Sequence, residues 1–523
     1  MIRIEQIKVP LHWQKTPLAE HAARALRLSS NQVRSVRLVK KSVDARDKAD
    51  IRIVLTLDVE LSRVPSPLPK NCRVLPPEAP YALPAATPRK FRPVVVGLGP
   101  AGLFCALTLA RAGLPPLVLE RGLPVDRRSR SVSTFFSGGS LDPESNIQFG
   151  EGGAGAFSDG KLNTGIKNPR CREVLKTLVE FGAPEEILYD ARPHVGTDRL
   201  PSVVLGIRRE IQRLGGEVRF ESRLEKLLLE GGRVVGAEFR GPKGTEMLQT
   251  EELALCVGHS ARDTFAMLYS LGVPMEAKPF SIGARIEHRQ AWIDRAQYGR
   301  SAGHPALGAA EYRLSCHLPD GRAAYTFCMC PGGTVVAAAS EEGGIVTNGM
   351  SPFARDGENA NSALLVSVSP ADFPGEDALC GVRFQREWEQ RAFQGDYCAP
   401  AQRVEDFLKD TASRGPGEVL PSYPLGVRWG KIDLPAYALE GMRRAILEFD
   451  RKLRGFAHPD AVLTGPETRS SSPVRIPRGA DGQSSIRGLF PVGEGAGYAG
   501  GILSAAADGM GAAEAILRAP GNS

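Results

Sequence analysis

The sequence predicts an α/β core interrupted by a long α+β insertion and preceded by a small α+β module. Three stretches carry that reading. "FRPVVVGLGPAGLFCALTLARAGLPPLVLER" has the order strand, glycine turn, helix, strand. "LFPVGEGAGYAGGILSAAADGMGAAEAI", near the chain end, has a strand, a glycine turn and a small-residue helix. Between them lie antiparallel strand patterns, so the late strand is expected to return beside the first unit after a long excursion.

Residues 1–60 alternate between periods of about two and about 3.6, predicting strands near Ile2–Val9, Val33–Val39 and Ile51–Val59 and a helix over Leu18–Leu28. This module holds twelve Lys/Arg against seven Asp/Glu, most of the chain's net charge of +7. The bias fits a solvated face, with nucleic acid as the alternative partner. The Pro-rich segment 61–90 reads as an extended linker.

Residues 91–260 form the first part of the nucleotide-binding domain. Val94–Val96 and Leu117–Leu119 are buried parallel strands, and Leu103, Leu107 and Ala110 stripe the helix between them. Gly97, Gly99 and Gly102, with Pro100 and Ala101, make a turn that lets the backbone approach a pyrophosphate at the helix N-terminus. Glu120, about twenty residues on and followed by Arg121, is placed to accept from ribose hydroxyls. The strand Leu253–Val257 runs into a second glycine turn at Gly258. Residues 261–484 read as the inserted substrate domain, with strands such as Glu311–His317, Ala323–Cys330 and Thr334–Ala339 and a helix near Leu434–Phe449. Residues 485–523 return to the first domain.

The returning strand favours FAD over NAD. Glu494, after Gly493, is placed to bind a ribityl chain, and the helix opening at Gly500, Gly501 and Ile502 aims N–H groups at the electron-rich flavin edge. With no second glycine-turn unit after a strand, NAD(P)H is expected only as a transient donor.

These motifs, with "NIQFGEGGAGAFSDGKLNTG", "KPFSIGARIEHRQ", "TFCMCPGG", "SEEGGIVTNGMS", "ENANSALLVSV" and "ETRSSSPVRI", give the chain a resemblance to the glutathione-reductase-type FAD proteins. Within them it resembles the bacterial FAD-dependent dehydrogenases of uncharacterised substrate. The resemblance spans the chain and implies non-covalent FAD and redox chemistry, with no substrate named. It departs at Glu494, where many FAD proteins carry Asp. The resemblance places Gly155, Ser158, Asp159 and Gly160 where FAD and substrate meet, with Lys161 near the flavin or an anionic substrate.

Further candidates come from residue chemistry. His288 is a proton donor or a structural histidine. Arg285 and Arg469 are anion clamps for substrate. In a regular strand Cys328 and Cys330 stand roughly 6.6 Å apart at Cα, near the upper limit for a disulfide, so packing is favoured over a redox dithiol; Cys330 is kept as a catalytic candidate. The nine cysteines are scattered and odd in number, which fits reduced thiols, and no cluster has metal-ligand spacing. There is no apolar signal segment and no run of about eighteen apolar residues, so the expected location is cytoplasmic, away from membranes.

The predicted function is an FAD-dependent oxidoreductase, dehydrogenase-like, passing hydride or electrons between FAD and an organic substrate through an unidentified donor or acceptor. The alternatives are a flavin monooxygenase and an RNA-binding or tRNA-modifying flavoprotein.

Overall fold

Three-residue strands rarely stand alone, and here five of them make one parallel sheet. In the computed structural model, which describes residues 1–77 and 80–519, the order is Leu489–Pro491, Leu253–Leu255, Val94–Val96, Leu117–Leu119, Glu217–Arg219. Four of these strands are buried on both faces, which explains their unbroken apolar runs. Leu253–Leu255 pairs in parallel with both Val94–Val96 and Leu489–Pro491, so the late strand joins the early one across a shared neighbour.

Helices Pro100–Arg111, Leu200–Arg213 and Ile502–Arg518 cover one face of the sheet, through Leu107, Val203, Ile207 and Ile516. The first and last pack so closely that a Cβ on Gly509 would lie 2.0 Å from the Ala101 carbonyl oxygen. The antiparallel meander Arg223–Glu230, Arg233–Gly241, Gly244–Gln249 covers the other face. The turn after Val96 needs glycine: Gly97 has φ +95°, and an added Cβ would meet the Cys256 carbonyl oxygen at 2.5 Å.

The second domain is a seven-stranded mixed sheet in the order Ser315–His317, Ala323–Cys330, Asn359–Val368, Phe280–Arg289, Val462–Glu467, Ala399–Arg403, Val427–Trp429. Along Phe280–Arg289 the pleat sends Ile282, Ala284 and Ile286 into an apolar core with Met442, Ile446 and Phe449 of the helix Ala436–Lys452. Arg285 and Glu287 take the opposite face. The change of core comes later than expected: Leu268 and Val273 pack with Val94 and Leu253, so residues just past Ala261 belong with the parallel sheet. Ile476 packs there too, before residue 485. The strand expected over Glu311–His317 begins only at Ser315.

The first module is a sheet in the order Val33–Asp44, Arg52–Leu61, Ile2–Val9, Cys72–Val74, with Ala22 and Leu26 of the helix Leu18–Leu26 against it. The Pro-rich segment is therefore more than a spacer. Cys72–Val74 adds an edge strand, the Tyr81 hydroxyl donates to Glu514 at 2.6 Å, and Arg89 reaches the Ile516 and Ala519 carbonyls. Residues 78, 79 and 520–523, parts of the segments read as linker and chain end, lie outside the described residues. The module is also docked: Lys41 N–H donates to the Tyr189 carbonyl at 2.7 Å, its ammonium meets Asp190 at 2.8 Å, and Ile51 sits in the second domain's core. Several of its cations are paired internally: Arg3 and Arg37 with Asp58, and Lys8 and Arg46 with Asp44. Among the described residues no helix is long and apolar enough to cross a membrane.

Candidate functional site

The two domains enclose a cavity of about 1250 Å³. That exceeds the few hundred to roughly 1,000 Å³ of an ordinary single-ligand site, leaving room for a dinucleotide and a second molecule. It runs from Leu119, Glu120, Arg121 and Ser222, past Gly97–Ala101 and Gly153–Gly155, to Glu494 and Gly500–Ile502, where Tyr325–Met329, Asn348, Glu467 and Arg469 of the second domain meet it.

At the first end the backbone converges on one carboxylate. Glu120 accepts from Leu98 N–H at 2.7 Å, Gly122 N–H at 2.9 Å and Gly150 N–H at 3.0 Å. Three of its roughly four acceptor positions are thus used inside the protein, leaving one open. Arg121 pairs with Glu144 and Asp263 and stacks on Phe149. Gly102 and Gly493 do not line the cavity; they permit close packing, since added Cβ atoms would stand 1.8 Å from the Gly97 oxygen and 2.9 Å from the Ala101 Cβ.

Two helix N-termini open into the cavity. Helices Pro100–Arg111 and Ile502–Arg518 begin at Gly99 and Gly501, and neither has a capping side-chain hydrogen bond. At Gly501, φ is +88°, and added Cβ atoms on Gly500 or Gly501 would point into open space. A pair of uncapped, positively polarised helix ends facing one cleft suits a pyrophosphate at one and an electron-rich ring edge at the other. The residues present therefore fit FAD. The turn beneath is braced by Asp508, which accepts from Gly493 N–H at 2.7 Å and pairs with Arg478.

The loop from Gly150 to Leu162 divides its work. Gly155, Ser158, Asp159 and Lys161 line the cavity, whereas Gly160 does not: a Cβ there would approach Gly196 N at 2.8 Å. The Ser158 hydroxyl closes its own turn, donating to the Gly155 carbonyl and accepting from Gly160 N–H. Asp159 is fully buried against the Arg355 guanidinium, which also holds Glu311. Lys161 hydrogen-bonds the Met329 carbonyl and lies 3.6 Å from Glu311.

The second domain supplies the far wall. Arg285 was expected to clamp a substrate anion; instead it is wholly buried outside the lining residues, 2.9 Å from Glu467, and donates to the Cys328 carbonyl at 2.9 Å and Asn348 at 3.0 Å. Burial, only partly offset by Arg285, pushes Glu467 up to about 7. Glu494 is likewise pushed up to about 7 by burial, with Lys278 opposing. Arg469 lines the cavity, yet its guanidinium is committed to Glu389, Ser260 and Ser340. Arg262 holds the same Glu389, so one carboxylate ties the two domains together.

Two catalytic candidates are displaced. His288 shares the strand face of Ile286, so it enters the apolar core, 2.8 Å from the Phe456 carbonyl, with burial lowering it to about 4. It is not among the residues that line the cavity. Cys330 is fully buried behind Cys328, and Cys328 is the cysteine that faces the cavity. The sequence reading missed His259 and Glu467. The imidazole of His259 accompanies Gly258 at the strand end, held down to about 3 by burial and by Arg469 and Arg262. Its signal was the "GHSARD" turn, where only the glycine was singled out.

The chain has recognisable relatives among known proteins. A family described as "FAD-dependent protein, C-terminal domain-like" matches residues 279–470, and a domain of unknown function matches residues 1–60. An uncharacterized protein of Clostridium beijerinckii is 48% identical over 531 residues, covering 99% of this chain and 98% of that one. Among solved structures, the 3-ketosteroid-Δ4-(5α)-dehydrogenase of Rhodococcus jostii RHA1 is 16% identical, with a TM-score of 0.33, covering 83% of this chain and 99% of that one. A mutant of E. coli quinol fumarate reductase FrdA is 13% identical, with a TM-score of 0.36, covering 82% and 70%. The chain spans just 55% of the flavin-dependent brominase Bmp2, which covers 53% of it at 15% identity and a TM-score of 0.29. The chain belongs, with its Clostridium relative, to this family of FAD-dependent proteins, and FAD is its cofactor.

Proposed function

We propose that the chain is a dehydrogenase-like FAD oxidoreductase of glutathione-reductase-type arrangement, acting on a small organic molecule held between the flavin end of the cavity and the inserted domain. The observation that carries this reading is the single continuous cavity. Its two helix N-termini suit FAD, while its far wall gathers Lys161, Cys328 and Glu467 from separate segments.

In this reading the turn Gly97–Ala101 holds the pyrophosphate, the remaining acceptor position of Glu120 meets the ribose, and Glu494 meets the ribityl chain. FAD, when bound, supplies two-electron transfer. The N-terminus of helix Ile502–Arg518 favours negative charge beside it. Glu467, near neutrality and fixed by Arg285, holds or releases a proton at the wall. Lys161 offers positive charge to an anionic substrate. The second domain closes one side of the cavity and excludes bulk water.

Among the described residues there is only one parallel sheet with glycine turns, so donor and acceptor use the same open face in turn. Anaerobic reduction of the holoprotein with candidate donors, followed by reoxidation with candidate acceptors, tests this. The expected initial rates give parallel double-reciprocal lines, and Lys161→Ala slows acceptor turnover more than it lowers FAD content. Intersecting lines, the mark of a ternary complex, would sink the shared-face reading.

A further inference from the structure

The strand Ala323–Cys330 leaves its regular register between Phe327 and Cys330, where it pairs with Asn359–Val368. Cys328 sits in that irregularity with φ +44°, a left-handed conformation that a non-glycine residue adopts only under constraint. In a regular strand the two cysteines would sit near the outer limit of disulfide reach. Here the strand is irregular at that point, and the Cys330 sulfur lies 3.3 Å from the Cys328 carbonyl oxygen.

The surroundings suit a reactive thiol. Arg285 donates to the Cys328 carbonyl and Lys161 to that of Met329, so two cations flank the turn. The neighbouring Cys330 thiol, aided by Arg285 and Lys161, holds Cys328 below the usual thiol range against the effect of burial. Cys330 is pushed the other way by Cys328 and by burial. One thiol faces the cavity as the better nucleophile, with a protonated partner behind it.

We propose that Cys328 and Cys330 form a dithiol–disulfide couple in the cavity wall, exchanging an electron pair with FAD in that cavity. The choice of FAD as acceptor rests on the oxidoreductase reading above; the thiol couple itself does not. Starting from the Cys328 thiolate and the Cys330 thiol, one S–H bond breaks and one S–S bond forms. The electron pair and the proton leaving Cys330 are taken up by oxidised FAD.

The test compares the wild-type holoprotein with Cys330→Ser and Cys328→Ser, each first oxidised and then titrated anaerobically with dithionite. The wild type should consume two electron pairs per FAD and each variant one, a twofold difference. Alkylation followed by peptide mass mapping should find the disulfide between Cys328 and Cys330 in the oxidised wild type, and the same bond in flavin-free protein treated with diamide. The buried pair Cys105 and Cys256 is the internal control and should stay reduced. Equal uptake of one electron pair by all three proteins, with Cys328 and Cys330 fully alkylated after oxidation, would overturn the proposal. A Cys328–Cys330 disulfide in protein that takes up no added FAD would instead retain the couple and overturn FAD as its acceptor.

Discussion

The two ends of the cavity use the same functional group in opposite ways. At one end Glu120 is met by three backbone N–H groups from three different turns, so it organises the loops around it. At the other end Glu467 is buried and Glu494 half-buried, with one principal cationic neighbour each, Arg285 and Lys278, and both are pushed up to about 7. A carboxylate surrounded by backbone donors is structural, and one that burial leaves under-compensated keeps its proton within reach of chemistry.

The largest way to break this contrast is to separate the two ends. Glu389 is buried between Arg262 of the first domain and Arg469 of the second, so Glu389→Ala leaves two guanidinium groups without their shared anion. A loss of about 3–5 kcal/mol is expected in urea unfolding. A loss below about 1 kcal/mol would show that the domains are held together elsewhere.

Glu120→Ala should cost about 3 kcal/mol, because buried N–H groups of three turns lose their acceptor together. FAD retention should fall with it, read as flavin absorbance per mole of protein. Retained stability with lost flavin would mean that the carboxylate serves the ribose more than the loops.

Glu494→Gln probes the other acid through pH. Its folded-state value, about 7, lies above the ordinary 4.5, so between those limits the native state binds more protons than the unfolded state. Its contribution is therefore greatest below pH 4.5 and is lost as pH rises towards 7. In flavin-free protein the variant should gain on the wild type across that window, by at most about 3 kcal/mol. A difference that is flat with pH would remove Glu494 from the titrating groups. The smallest effect is expected at Arg121→Ala, whose partners Glu144 and Asp263 are partly exposed: about 1 kcal/mol or less of stability, with FAD content reduced less than by Glu120→Ala.

Much of the Glu120 end of the cavity was legible because its signals are local. Val94–Val96, Gly97, Gly99 and Glu120 fall within one strand-turn-helix-strand unit, and each type has a steric or hydrogen-bonding reason to be there. The far wall was less legible. His288 and Arg285 lie three residues apart on one strand, and the pleat sends one into the apolar core and the other beneath the cavity. Arg469 has the chemistry of an anion clamp, but its anion is Glu389, eighty positions away. Spacing alone could not reveal that Ser158 closes its own turn or that Asp159 is claimed by Arg355.

By itself the sequence determined the parallel core, the glycine turns and the uncapped helix starts, since these follow from backbone sterics and short-range hydrogen bonding. It also carried the order of segments that returns Leu489–Pro491 to the first sheet. Only the tertiary structure decided which ionisable side chains keep their reactivity. That depends on long-range pairing and burial: Arg285, Glu467 and Cys328 come from three distant segments, and the shifts in their proton affinities arise only when folding removes water and sets their mutual distances.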